Sequence, residues 1–181
     1  MDVPIFLSYA RPHLQRQDAF ADSVAKYLRE RGIHPRTLGV TDYDTQAPLT
    51  AIRRILLESN GLLTIAFRRM HVDTGTFKKD ADMSRVRPVP ISDIWLTSPW
   101  CHIEAAMAFQ LGLPILVFRE KGVYDDGILE KGVTGTYLPE FDLEDTGVDH
   151  FQTPEWRQLM ADWEGYVRTV VRAKGNPPRL Y

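Results

Sequence analysis

The chain has 181 residues, 44% of them hydrophobic and 25% charged, which suits one α/β domain with a substantial core better than two domains. Lysine and arginine total 22 against 24 aspartate and glutamate, and the net charge of −2 gives no global electrostatic footprint for nucleic acid or an anionic membrane. Apolar runs such as 112–118 are too short to span a bilayer, no basic leader precedes the first strand-like segment, and the single Cys101 excludes an internal disulfide framework and cysteine-cluster zinc. A cytoplasmic protein is expected, with no membrane or nucleic-acid partner.

Taken in chain order, the pattern predicts a buried strand over 3–8, then an amphipathic helix over 15–31 with Phe20, Val24, Tyr27 and Leu28 on one face and Gly32 as its stop. A weaker strand over 33–40, a helix over 48–59 with Ile52, Ile55 and Leu56 turned inward, and a strongly apolar strand over 61–67 follow. Residues 68–97 mix Lys78, Lys79, Asp80, Asp82, Arg85 and Arg87 with Pro88 and Pro90, and are expected to form a long loop, a mobile flap or an insertion at about 70–97. Ser98 as N-cap and Pro99 at the first helical position open a helix over 98–111, stopped by Gly112 and Pro114. An apolar strand over 114–118 comes next, then an irregular stretch over 121–150 with a short helix around 126–130. A C-terminal helix at about 153–173 carries Trp156, Leu159, Trp163, Tyr166, Val167 and Val170 at helical spacing, an aromatic stripe that reads as core.

Short apolar strands alternating with helices predict an α/β, flavodoxin-like three-layer sandwich around a central parallel sheet. Ligands in such sheets bind beyond the carboxyl ends of the strands, so the segments 8–14, 39–47 and 68–97 are expected to share one rim. Glu104 is the residue to explain. On the predicted helix, Trp100, Glu104, Met107 and Leu111 fall within about 60° of one another, which sets a carboxylate in the apolar stripe. Leaving a carboxylate there unpaired costs several kcal/mol, so Glu104 is either a satisfied structural acid or a functional one, and the spacing alone leaves both open.

Several constellations are missing. The sequence has no Gly-x-x-x-x-Gly-Lys phosphate loop, no Gly-x-Gly-x-x-Gly and no Gly-x-Ser-x-Gly elbow. His102-Ile103-Glu104 has the His-x-Glu spacing of zinc deaminases but lacks their Pro-Cys-x-x-Cys, and His13, His34, His71, His102 and His150 form no helical i, i+4 pair. No metal site and no cofactor are expected.

Val3-Pro4-Ile5-Phe6-Leu7-Ser8-Tyr9 resembles the opening strand of TIR domains, and Ser98-Pro99-Trp100-Cys101-His102-Ile103-Glu104 resembles their Ser-x-Trp-Cys-x-x-Glu box. Residues 51–59 and the run Leu62-Leu63-Thr64-Ile65-Ala66-Phe67 are similar to the family's second helix and third strand, so the resemblance covers most of residues 3–119. Residues 39–49 stand at the family's BB loop without its Arg-Asp and Pro-Gly signature, and the roughly thirty residues between Phe67 and Ser98 exceed a compact connection.

The resemblance implies a single TIR-like domain over 1–181 in which Glu104 matches the catalytic glutamate of NAD-cleaving members. NAD+ would be substrate rather than cofactor. Ser8, Tyr9 and Arg11 at the first strand's end become candidates to contact the nucleotide, Asp42 and Tyr43 to contact the nicotinamide side, and Trp100 to wall the pocket; plain turn, solvated or core roles are the alternatives. A free-standing chain of this kind is similar to bacterial antiphage TIR proteins of the Thoeris type, which implies an ADP-ribose-derived signal, linear or cyclised. It further implies self-association through TIR surfaces and a phage-derived component as trigger. Residues 103–115 also resemble the glutamate-bearing helix and strand of nucleoside 2-deoxyribosyltransferases. A non-enzymatic TIR assembly module is the remaining alternative.

Overall fold

The chain opens with strand β1 (Val3–Tyr9), an inner strand of the main sheet, and the computed structural model describes residues 2–134, 140–145 and 149–180. Helix α1 (Gln15–Arg29), strand β2 (Ile33–Arg36), helix α2 (Pro48–Leu57) and strand β3 (Leu62–Ala66) follow. A two-stranded excursion, β4 (Met70–Phe77) and β5 (Val89–Leu96), separates β3 from helix α3 (Pro99–Gln110). The chain continues through β6 (Ile115–Glu120), a 3-10 turn at Gly127–Leu129, the short β7 (Glu140–Phe141) and helix α4 (Pro154–Lys174).

The main sheet has five strands in the order β2-β1-β3-β6-β7, and every pairing in it is parallel. With the excursion left aside, this is the flavodoxin-like winding, whose switch point lies between β1 and β3. Side chains alternate across the sheet. Val3, Ile5 and Leu7 of β1 join Leu63 and Ile65 of β3 in a core with α1 and α4, while Phe6 and Leu62 pack with Ile52, Ile55 and Leu56 of α2 and with Ala105 and Ala108 of α3. The result is a three-layer α/β sandwich. Both sheet faces are covered by helices, which is why β1 and β3 read as continuous apolar runs rather than alternating ones.

Gly61 marks how closely α4 approaches the sheet: a Cβ there would stand 2.7 Å from Val167 Cγ2. The aromatic stripe of α4 is core, with Trp156 stacked on Phe118 at 4.3 Å, Trp163 bonded through Nε1 to the Pro114 carbonyl at 3.2 Å, and Tyr166 turned out to solvent.

Several expectations are corrected. The weak strand over 33–40 closes at Arg36, because Thr37 folds the chain back by accepting the amides of Val40, Thr41 and Asp42. The loop expected over 68–97 is an antiparallel β4–β5 hairpin with Met70 opposite Leu96 and Phe77 opposite Val89. Its residues are largely exposed on both faces, so it projects as an arm. The irregular stretch over 121–150 contributes β7 to the sheet edge, and its short helix is a single 3-10 turn; residues 135–139 and 146–148 of that stretch lie outside the described residues. No described helix is long and apolar enough to cross a membrane.

Candidate active site

Helix α3 is held at its start by Ser98, whose Oγ accepts from Trp100 N at 3.3 Å and from Arg69 Nη1 at 2.9 Å, with Pro99 in the first turn. Its buried face consists of Cys101, Glu104, Ala105 and Ala108. This corrects the stripe drawn through Trp100, Met107 and Leu111. The face is centred on small residues, which lets the helix lie close over β1 and β3, and Glu104 sits at its margin, roughly 50° from the centre. The carboxyl is therefore buried, yet 9% of the residue still reaches solvent.

Beneath it lies Ser8, 2% exposed at the carboxyl end of β1, whose hydroxyl donates to Glu104 Oε2 across 96 residues of sequence. Burial pushes the Glu104 carboxyl from its ordinary 4.5 to about 7, and the Ser8 bond only partly opposes this by favouring the charged form. The carboxyl thus exchanges its proton near neutral pH. Cys101, one turn earlier, contacts Thr97 Oγ1 at 3.8 Å and the Ile65 carbonyl at 3.9 Å, and burial pushes its thiol to about 11, so it stays protonated and is no nucleophile.

None of the other expected side chains hydrogen-bonds to this pair. Tyr9 follows Ser8 in β1 and so faces the opposite side of the sheet, edge-on to Phe67 at 6.3 Å, its phenol held neutral by burial while it bonds the Thr37 side chain. Arg11 is exposed just beyond β1, with no hydrogen bond or ion pair to the described residues. Asp42 is engaged by Arg36 (Nη2 to Oδ1 2.5 Å, Nε to Oδ1 3.1 Å) and by Thr41 at 2.9 Å, and these partners hold its carboxyl below the usual range although burial opposes them. It braces the loop after β2 rather than offering a free acceptor. Tyr43 is 79% exposed, and Trp100, 40% exposed on the outer side of the first α3 turn, is not core.

A second buried carboxyl escaped the sequence reading. Glu120, at the carboxyl end of β6 and 1% exposed, accepts from Gln17 Nε2 at 3.0 Å and from Arg68 N at 2.8 Å. Gln17 also donates to the Arg68 carbonyl at 3.0 Å and accepts from His13 N at 3.3 Å. One glutamine thereby ties the loop after β1, the segment after β3 and the end of β6 together. The available signal was a polar residue three positions before Phe20 on the apolar face of α1. Beside the α3 start, a cavity of about 370 Å³ is lined by Thr97, His102, Ile103, Tyr124 and Asp126. Among the described residues no three His, Cys, Asp or Glu side chains are placed to hold a metal ion.

No family model matches the chain, and no curated protein matches its sequence. Among solved structures it is similar to the CMP N-glycosidase BcmB of Clostridium botulinum, with a TM-score of 0.44 and 13% identity over 77% of this chain and 87% of that one. It is also similar to the TIR domains in the activated Roq1 resistosome directly recognizing the pathogen effector XopQ, with a TM-score of 0.41 and 15% identity over 96% of this chain and 86% of that one. The chemistry that follows rests on the Ser8–Glu104 geometry.

Proposed function

We propose that the chain is an NAD+ glycohydrolase or ADP-ribosyl cyclase of the TIR type, with Glu104 as its catalytic carboxylate. The observation that carries this reading is the Ser8–Glu104 pair, buried at the carboxyl end of β1 beside the β1/β3 switch point. Breaking the nicotinamide–ribose bond builds positive charge on the ribose ring, and a carboxylate held beside that ring stabilises it. The leaving nicotinamide is already cationic in NAD+ and needs no proton. A carboxyl poised near 7 suits this step: burial disfavours its charge, and a cation arriving beside it restores that charge. Ser8 orients the carboxylate, and Arg11, exposed three residues after Ser8, is the candidate phosphate contact.

The product is an ADP-ribose-derived signal, linear or cyclised, made in antiphage defence of the Thoeris type. Self-association through TIR surfaces and a phage-derived trigger belong to the same proposal, as does a cytoplasmic location.

The near-neutral Glu104 favours one second reading, a nucleoside 2-deoxyribosyltransferase-like enzyme. In that reading the Glu104 carboxylate attacks the deoxyribose as a covalent nucleophile, and its raised proton affinity makes the ionised form the stronger nucleophile. The test is incubation of concentrated protein with NAD+, and separately with deoxynucleosides, with products resolved by mass spectrometry beside folded Glu104→Gln. Nicotinamide release lost in the variant supports the NAD+ reading, and a product one water lighter than ADP-ribose identifies cyclisation. Turnover of deoxynucleosides alone overturns it in favour of the second reading. Unfolding of Glu104→Gln without any turnover favours a non-enzymatic assembly module.

A further inference from the structure

Thr64 interrupts the apolar run of β3, is fully buried, and leaves its Oγ1 without a hydrogen-bond partner. A buried hydroxyl with no partner is costly, and valine would fill the same space without that cost. The register explains where the hydroxyl could be used. Thr64 is the Cα partner of Ser8 across the β1–β3 pairing, and the alternation that puts Phe6 and Leu62 in the core under α3 puts Ser8 and Thr64 on that same face. Neighbouring strands run about 4.8 Å apart, so two paired side chains on one face are within a χ1 rotation of bonding. Ser8 Oγ spends its proton on Glu104 and keeps lone pairs free to accept.

We propose that Thr64 is a positioning residue of the Ser8–Glu104 site: its hydroxyl rotates to donate to Ser8 Oγ when the Glu104 carboxyl is ionised, forming a one-way chain Thr64→Ser8→Glu104. A hydroxyl that accepts one bond donates a stronger one, and bonds to a charged acceptor are the strong ones, so the chain stabilises the carboxylate over the acid. Burial and the Ser8 bond are the influences on the Glu104 carboxyl, with no charged side chain of α2, β6 or the 3-10 turn at Gly127–Leu129 acting on it, and Cys101 one turn earlier stays neutral throughout the relevant range. The importance of the relay rests on the catalytic reading of Glu104; its existence does not.

The experiment is a carboxyl-carbon NMR titration of Glu104 in the full chain, assigned with Glu104→Gln, for the parent, Thr64→Val, Thr64→Ala and Thr64→Ser. Loss of the hydroxyl in the valine and alanine variants is expected to raise the Glu104 midpoint by about half a unit or more, while serine keeps it at the parent value. The melting temperature of Thr64→Val should equal or exceed that of the parent, which separates the relay from a fold defect. An unchanged midpoint in Thr64→Val overturns the relay, as does a serine variant that behaves like valine. Nicotinamide release from NAD+ is followed in parallel, where Thr64→Val should lower kcat and leave KM unchanged. A midpoint shift in a chain that turns over deoxynucleosides but releases no nicotinamide supports the relay and removes the NAD+ reading, whereas nicotinamide release without the shift overturns the relay and keeps that reading.

Discussion

Glu104 and Glu120 are buried at the same rim of the sheet on opposite faces, and they differ in the donors supplied to them. Glu120 receives two N–H bonds, one from the Gln17 amide and one from the Arg68 backbone, and is sealed in. Glu104 receives one hydroxyl and keeps an edge open to solvent. Burial alone therefore does not mark a reactive acid. A carboxylate tied down by two N–H groups from two other segments is a structural clamp, while Glu104, with one hydroxyl and an open edge, holds its proton towards the neutral range and responds to whatever enters beside it.

Substitutions at the two sites should break this comparison in opposite ways. The largest effect is expected for Glu104→Gln, which removes the charge that stabilises the ribosyl cation and should lower nicotinamide release about 1,000-fold or more with the fold retained, as followed by product chromatography and circular dichroism. Glu120→Ala should leave the Gln17 amide and the Arg68 N–H without an acceptor, lowering folding stability by about 3 kcal/mol in urea titration.

The pH dependence sharpens the contrast. Because the folded Glu104 carboxyl titrates near 7 and the ordinary carboxyl near 4.5, the folded state binds the extra proton, so this group's contribution to stability is fully present below 4.5 and is lost as pH rises towards 7. The loss amounts to about 3 kcal/mol at most, and urea midpoints of Glu104→Gln should show a correspondingly flatter profile over that window. The smallest effect is expected for Asp42→Asn, which weakens the Arg36 bracing of the loop after β2 and should cost about 1 kcal/mol in thermal unfolding, with nicotinamide release retained.

Much of the body was legible because both faces of the sheet are covered and its strands are short apolar runs between well-marked helix ends. Ser98 and Pro99 fixed the start of α3 to the residue, and the carboxylate set among apolar neighbours drew attention to Glu104. The rotation of α3 was hidden by a preference for large side chains: Trp100, Met107 and Leu111 look like a core stripe, but a helix lying close to a sheet turns its small residues inward. Strand alternation already separates Tyr9 from Ser8. The Arg36–Asp42 pairing was not legible because it depends on the fold-back at Thr37, which no periodic signal marks. The β4–β5 arm was obscured by Asp73, Gly75, Pro90 and Asp93, which weaken a strand pattern, and Asp93 adopts a left-handed φ of 52° that breaks the alternation. β7 is only two residues long, too short for a periodic signal.

The arm has a consequence for how the chain can change length. Its two ends meet in their own ladder, Arg69 N bonding the Leu96 carbonyl at 3.0 Å, so to the rest of the molecule about thirty residues behave as a short link between β3 and α3. Closing that excursion draws on contacts near in sequence, so the ladder lowers the loop-closure cost of placing α3. Residues can be gained or lost towards the 78–88 tip while Arg69 still meets Ser98 at the start of α3 and the carboxylate stays in register with β1.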